Sequence, residues 1–513
     1  MAEKLPYIRI KKIILDDFRN IRHTEVDIPG GKLSEFVNGE SSILGLYGQN
    51  GSGKTSLLMA VDVLRECLNG VPLSYSYYAS CIRYQCEKAR VTFEFSGYED
   101  DGTEYEITYS FCISVDYTKR NKNMADDYNE FVNALDYMGY HSNLFSDRGT
   151  SEFLLNINPA DRRIVITDEV IQFSGKNSNG EKIHKQVVID TSDTACKASG
   201  KTFGNKKRYS QFTENSSPDI DDILYREKIT ANIQSTSFVF SDNVFNLLSE
   251  GCNETTYKTI LRSLKVFGEN YLFTCMMTES GMVNIKQLVF NMWYSSGGAD
   301  SYRFSVVFDL LNHCNTPEKL FPLVKKSLES VSKIVGAIVP GFSLEVLDIG
   351  KSISEKGNEI HTFDIVSCRD GVKVPLQYES AGILRIISFI SLIVAAYNNP
   401  SITVVVDEID SGIFEYILGE ILIIMKESAK GQLIFTSHNL RPLEVLPRKN
   451  LLFTTTNSEN RFCKLDGISG NNNLRDCYFR TIILGSSKNE FYNSTDSFNI
   501  EQALYEAGHP LDN

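Results

Sequence analysis

The run Gly48-Gln49-Asn50-Gly51-Ser52-Gly53-Lys54-Thr55 fits the pattern G-x-x-x-x-G-K-[ST] at every fixed position. The apolar run Ile43–Tyr47 before it predicts a buried strand, and Ser56–Leu64 after it predicts a helix. Strand, glycine-rich turn and helix in that order constrain the fold strongly. The backbone N–H groups of the turn and the N-terminus of the helix converge on one anion seat. Gly48, Asn50, Gly51, Ser52, Gly53, Lys54, Thr55 and Ser56 would line it. Lys54 would reach the β- and γ-phosphates of a nucleoside triphosphate, and Thr55 would bind Mg2+. A chance glycine-rich turn would not carry both flanks.

The rest of the composition sets bounds. At 513 residues the chain predicts two to four domains, or one domain with large insertions. Its 42% hydrophobic content is that of an ordinary globular protein. The start lacks the charged and apolar regions of a leader, and the longest apolar run, Gly382–Tyr397, is broken by Arg385. A soluble cytoplasmic protein without a membrane partner is expected. The 11 cysteines are scattered without a C-x-x-C, so free thiols are expected rather than disulfides or metal ligands. The net charge of −13 lends no support to a nucleic-acid surface. The densest basic stretch, Lys197, Lys201, Lys206, Lys207 and Arg208, lies in a polar segment and is read as a solvated loop.

Period-two alternation predicts a strand over Tyr7–Leu15 and a hairpin from Arg90–Ser96 and Glu104–Val115. Ser174–Pro218 is polar and is expected to be mostly loop. A helix is expected from Thr316-Pro317, with Thr316 as its cap, followed by Phe342–Asp348 and His361–Cys368 as strands.

A second constellation begins far downstream. Ile402–Val406 is a β-branched run of the kind a buried parallel strand carries, and it delivers Asp407-Glu408 at its carboxyl end. Asp407 would hold Mg2+ through water, and Glu408 would orient the attacking water. Asp410-Ser411-Gly412 follows, then the strand Gln432–Thr436 with Ser437-His438 at its end. His438 follows Glu408 by 30 residues (438 − 408), one strand–helix–strand step, which sets the two strand ends side by side. Upstream, Glu379-Ser380-Ala381-Gly382 opens a helix whose N-terminus could take a phosphate. Lys54 and Asp407 are 353 positions apart (407 − 54), so a large insertion must divide one head.

Phosphate loop, Ser-x-Gly helix start, acid strand, Asp loop and His strand, in that order, resemble the ABC-type ATPase heads of the RecF, SMC and OLD-like group. Ile13–Asn20 resembles the opening strand of RecF-like proteins. The resemblance covers about residues 7–115 and 340–455. It implies an α/β fold, an ABC-type P-loop head with a mixed sheet interrupted by a large, mainly helical insertion. Residues 1–115 would be the first half of the head, 116–339 the insertion carrying dimer or partner contacts, 340–455 the second half, and 456–513 a tail. It also implies ATP and Mg2+ as ligands, and an ATP sandwiched between two heads. Ser380 and Gly382 would then act in trans, Asp410 would face the partner head, and His438 would contact the γ-phosphate.

Members of the OLD-like branch are often fused to a nuclease. A TOPRIM nuclease would need an Asp-x-Asp beyond His438, where only 75 residues remain (513 − 438) and none contains it. Asp219-Ile220-Asp221 lies on the wrong side of Asp407, no Arg precedes a His at HEPN spacing, and Asn312-His313-Cys314-Asn315 is isolated and read as a helix end rather than an HNH unit. The chain therefore resembles the stand-alone ATPase subunits of bacterial antiphage systems such as PARIS and Septu. That implies a homodimer or higher homo-oligomer that senses or regulates a separately encoded effector nuclease. The alternative is a RecF/SMC-like DNA-repair or DNA-structure ATPase acting directly on DNA.

Overall fold

The computed structural model describes residues 5–116, 162–192, 201–215, 220–276, 286–295, 301–353, 357, 359–457, 461–464, 474–484 and 496–508. Lys197, Asp219, the tail residues Asn471–Asn473 and a large part of the expected insertion lie outside the described residues.

In chain order the strands are β1 (Tyr7–Phe18), β2 (Ile21–Asp27), β3 (Ser42–Tyr47), β4 (Lys88–Tyr98), β5 (Glu104–Asp116) and β6 (Arg163–Lys176). They continue with β7 (Lys182–Asp190), β8 (Leu272–Cys275), β9 (Gln287–Ser295), β10 (Ser301–Asp309), β11 (Cys314–Pro317) and β12 (Phe342–Ile353). The last are β13 (Glu359–Arg369), β14 (Val372–Pro375), β15 (Thr403–Val406), β16 (Gln432–Thr436), β17 (Leu451–Thr454) and β18 (Phe462–Cys463).

Two six-stranded sheets organise the fold. One has the order β18-β17-β3-β16-β15-β8. Its four pairings from β17 to β8 are parallel with one antiparallel edge at β18, so the sheet is mixed. Strands β3, β15, β16 and β17 are buried at every position, which is what a parallel sheet covered on both faces demands. The other sheet, β2-β1-β4-β5-β6-β7, is antiparallel throughout. The helix Lys54–Asn69 is packed all round and joins the two, with Leu57, Leu58, Val61 and Leu64 fully buried. Arg9 of β1 fastens the sheets together: fully buried, it donates to Gly30 O at 2.7 Å and Glu40 O at 3.0 Å, and reaches the backbone of Pro400 and Lys430. Among the described residues only carbonyls accept from this guanidinium; it also lies over the Phe36 ring, and burial lowers its pKa to about 9.

The described part of residues 116–339, expected as an insertion, is woven into both sheets. It supplies β6 and β7 to the antiparallel sheet and β8 to the mixed one. Two local expectations change here. The polar stretch from Ser174 contains the end of β6, β7 and the helix Lys206–Asn215. Its few large residues, Phe203 and Phe212, are fully buried and stack at 4.4 Å, and Arg208 is fully buried against Glu254, Gln186 and Val187. A few well-placed aromatics outweighed a polar average. The helix expected from Thr316 begins at Phe321, with Pro322 in its first turn; Thr316 and Pro317 instead pair with β13, and Asn312-His313 form a turn between β10 and β11.

A smaller sheet, β11-β13-β12 with β14 alongside β13, packs under the helix Phe321–Ile338. At its centre His361 is nearly buried, stacked on Phe321 at 3.4 Å and bridging Glu318 (2.7 Å) to Asp348 (2.9 Å). Burial pulls its pKa down, but the two carboxylates outweigh that and hold it above the ordinary imidazole value. Lys351 and Glu359 complete the charged neighbourhood. A raised folded-state pKa adds stability that is complete below the unfolded pKa of about 6.5 and is lost as pH rises through the folded value. The thermal midpoint should therefore fall between about pH 6 and pH 8 in wild type. His361→Gln should lower it at pH 6 and flatten that slope, as measured by calorimetry.

Candidate functional site

The parallel strands β3, β15 and β16 end on the same edge of the mixed sheet, and the expected site residues follow those ends. After Tyr47 the chain turns through Gly48, Gly51 and Gly53, all at positive φ. Gly48 is required by crowding, since a Cβ there would overlap Thr454 Oγ1. Gly53 caps the helix Lys54–Asn69 in the left-handed region (φ 105°) with no side-chain cap bond. The first turn of that helix thus has no side-chain acceptor over its N–H groups, which is the condition for anion binding.

Lys54 is 7% exposed and folds back over the loop, donating to Gly48 O at 2.7 Å and Gln49 O at 3.2 Å. Burial lowers its pKa, and the nearby Asp407, Glu408 and Asp410 carboxylates oppose that shift. The cation and the three acids therefore share one electrostatic site. Thr55 Oγ1 donates to Asp407 Oδ1 at 3.4 Å, although 352 residues separate them.

Asp407 is 2% exposed at the end of β15. Its Oδ1 accepts from Thr436 Oγ1 at 2.6 Å, while its Oδ2 is buried and has no hydrogen-bond partner among the described residues. A buried carboxylate oxygen with no donor is costly unless something else meets it. A hard divalent cation coordinated by Asp407 and Thr55 would do so, and oxygen donors of this kind are what Mg2+ takes. The residues present fit the metal.

Glu408 follows in the left-handed region at φ 50°, a costly conformation for a side chain of its size. Thr436 holds the turn, its Oγ1 accepting the Glu408 N–H at 2.7 Å while it donates to Asp407. Among the described residues the Glu408 carboxylate makes no hydrogen bond. On the neighbouring strand end His438 is exposed, and its backbone N–H is held by Asp410 at 3.2 Å. Asp410 also accepts the Asn439 N–H at 3.0 Å. The carboxylate of Asp410 thus shapes the loop that presents His438.

Ser380 caps the helix Ala381–Asn398, its Oγ accepting the Ile383 N–H at 3.3 Å. A Cβ on Gly382 would stand 2.7 Å from Gly412 O, and Arg385 donates to Ser411 Oγ. The Ser-x-Gly turn is thereby packed directly on the Asp410–Gly412 turn. Among the described residues no hydrogen bond links Ser380 or Gly382 to residues 48–56. Phosphate loop, Asp407, Glu408, Asp410 and His438 are brought together within one chain; the Ser-x-Gly turn joins them only through the Asp loop. The helix it opens is the one described helix long and apolar enough to cross a membrane, and 56% of it is buried within the protein.

Thr436, Thr454 and Arg461, near the site, carry no motif signal strong enough to have been singled out, and Asn20 is marked only as the end of the opening-strand resemblance. Asn20 Nδ2 donates to Gly51 O at 2.8 Å and its Oδ1 accepts from Ser56 Oγ at 3.0 Å. Thr436 was visible only as the last polar position of a buried strand.

A family model described as AAA ATPase domain matches residues 9–441. The chain belongs to that family. No curated protein matches it. Solved structures similar to this AAA ATPase domain include an Smc head with an extended coiled coil bound to the C-terminal domain of ScpA, derived from Pyrococcus furiosus. That structure has 12% identity and a TM-score of 0.37 over 89% of this chain and 96% of that one. The SMC head domain from Thermotoga maritima has 12% identity and a TM-score of 0.34 over 90% and 100%. The recombination mediator RecF with ATP has 12% identity and a TM-score of 0.32 over 86% and 94%.

Proposed function

We propose that this chain is a Mg2+-dependent ATPase head that closes on a second copy around ATP, and that this closure controls a separately encoded effector nuclease in antiphage defence. The observation that carries the hydrolytic reading is the orphaned Asp407 oxygen beside Thr55, with Lys54 and Glu408 in the same charged site. The chain's own groups divide the work. The loop N–H groups and Lys54 bind the phosphates, and Lys54 must exchange its two loop carbonyls for phosphate oxygens to do so. Mg2+ held by Thr55 and Asp407 would neutralise charge on the β- and γ-phosphates. Glu408 has a carboxylate free to accept a proton-bearing water, and its fixed backbone aims it. His438, on the adjacent strand end, would hold the same water and the γ-phosphate. Ser380 and Gly382 open a helix N-terminus that, among the described residues, makes no hydrogen bond to its own phosphate loop, which suits them to cover the loop of a second copy.

The antiphage part rests on the motif order and on the lack of nuclease motifs in the sequence. The whole reading is tested by sedimentation of the purified chain. A slowly hydrolysed ATP analogue should convert monomer to dimer and ADP should not; unchanged mass with the analogue would remove closure. A nuclease encoded beside this chain should copurify with it. A chain that copurifies with none, but binds duplex DNA with steep salt dependence, would favour direct action on DNA.

A further inference from the structure

We propose that Thr454 and Arg461, which lie beyond the family-matched residues 9–441, are positioning residues that hold the phosphate loop in its nucleotide-receiving shape. In a trans peptide the carbonyl and the following N–H point in opposite directions, so fixing a carbonyl outward fixes the next N–H inward. The loop's carbonyls are held from outside in this manner. Thr454, fully buried at the end of β17, donates to Tyr47 O at 3.0 Å, which sets the direction of the Gly48 N–H. Its Oγ1 also accepts from Ser52 Oγ, and the Ser52 N–H donates to Gln49 O at 3.2 Å. Two hydroxyls thus tie the entry and the middle of the loop to one strand.

Arg461 acts one step further out. Its Nε donates to Asn20 O at 3.0 Å and its Nη1 to Thr455 O at 2.9 Å. Asn20 then holds Gly51 O and Ser56. Lys54 supplies the remaining restraint, on Gly48 O and Gln49 O, and that restraint is released when the ammonium turns to phosphate. Thr454 and Asn20 hold the loop by bonds that do not involve Lys54 and so stay in place at that moment. The absence of a Cβ at Gly48 makes room for this hydroxyl, so the glycine and the threonine form a matched pair.

This inference rests on the ATP reading above, and the test separates the two. Affinity for a fluorescent ATP analogue and the nucleotide-free melting midpoint are measured for wild type and for Lys54→Ala, Thr454→Val, Thr454→Ser and Arg461→Gln. Thr454→Val should bind about tenfold more weakly, the factor expected for one net hydrogen bond, with Thr454→Ser close to wild type. Arg461→Gln should lose several-fold while melting within a few degrees of wild type. If wild type binds, Lys54→Ala does not, and Thr454→Val and Arg461→Gln both bind like wild type, the positioning role falls and the ATP reading stands. If Thr454→Ser binds as weakly as Thr454→Val, the hydroxyl is not the agent and the inference falls. If wild type binds no nucleotide, both fall. Should Thr454→Val fail to fold, Arg461→Gln decides.

Discussion

Glu408→Gln should bind ATP as tightly as wild type and turn it over at least a hundredfold more slowly. The substitution keeps size and shape, so the φ of 50° and the Thr436 bond to the Glu408 N–H are retained. It removes a strand-end carboxylate that, among the described residues, makes no hydrogen bond. General-base and electrostatic contributions of this kind are each worth on the order of 10²–10³ in rate. Asp407 cannot substitute, because its Oδ1 is committed to Thr436 and Thr55 and it faces inward at 2% exposure. Single-turnover phosphate release, with enzyme titrated in excess over ATP, separates the two quantities. Near-normal turnover would remove Glu408 from the water-positioning role. Weakened binding at unchanged turnover would instead make it a nucleotide ligand.

The second large effect concerns ownership of the site. Lys54→Ala and Ser380→Arg should each be inactive alone, the first because it cannot hold phosphate and the second because a bulky cation replaces a helix cap. Mixed in equal amounts, they should recover a substantial fraction of wild-type turnover. In a mixed dimer one composite site combines an intact phosphate loop with an intact Ser-x-Gly turn, while the other carries both lesions. Failure to recover any activity, with mixed dimers demonstrated by differential tagging, would count against sharing. The geometry within one chain is consistent with the expectation, since Gly382 packs on Gly412 and, among the described residues, no hydrogen bond links Ser380 or Gly382 to residues 48–56.

The sequence was legible where a single strong rule governs. The octet at Gly48–Thr55 required glycines for shape and a cation for charge, and all of it sits at one strand end. The four-residue β-branched strand before Asp407 was legible because only a buried parallel strand tolerates such a run. Residues whose role depends on distant partners were opaque. Nothing local marks Thr454, and the run that ends at Asn20 gives no sign of that side chain's role, since each touches a loop that is remote in sequence or lies across a strand end. Thr436 reads as an ordinary strand residue until β15 is laid beside β16. The same limit misplaced the helix start near Thr316: local capping favoured it, but pairing with β13 took those residues first. In the polar stretch from Ser174, two buried phenylalanines and one buried arginine decided the structure against its average composition.

The position of β3 has a consequence for how the chain is made. Its two neighbours in the sheet are β16 and β17, so the strand that leads into the phosphate loop has no partner until the ribosome has added roughly 400 further residues, on the order of 20–80 s of synthesis. The strands β1, β2, β4 and β5 can pair with one another by residue 116. A nascent or truncated chain would therefore fold part of its antiparallel sheet early while its nucleotide strand stayed apolar, unpaired and open to holding chaperones. Nucleotide binding would report that translation had run past β17, and prematurely ended chains would be both inactive and marked for removal.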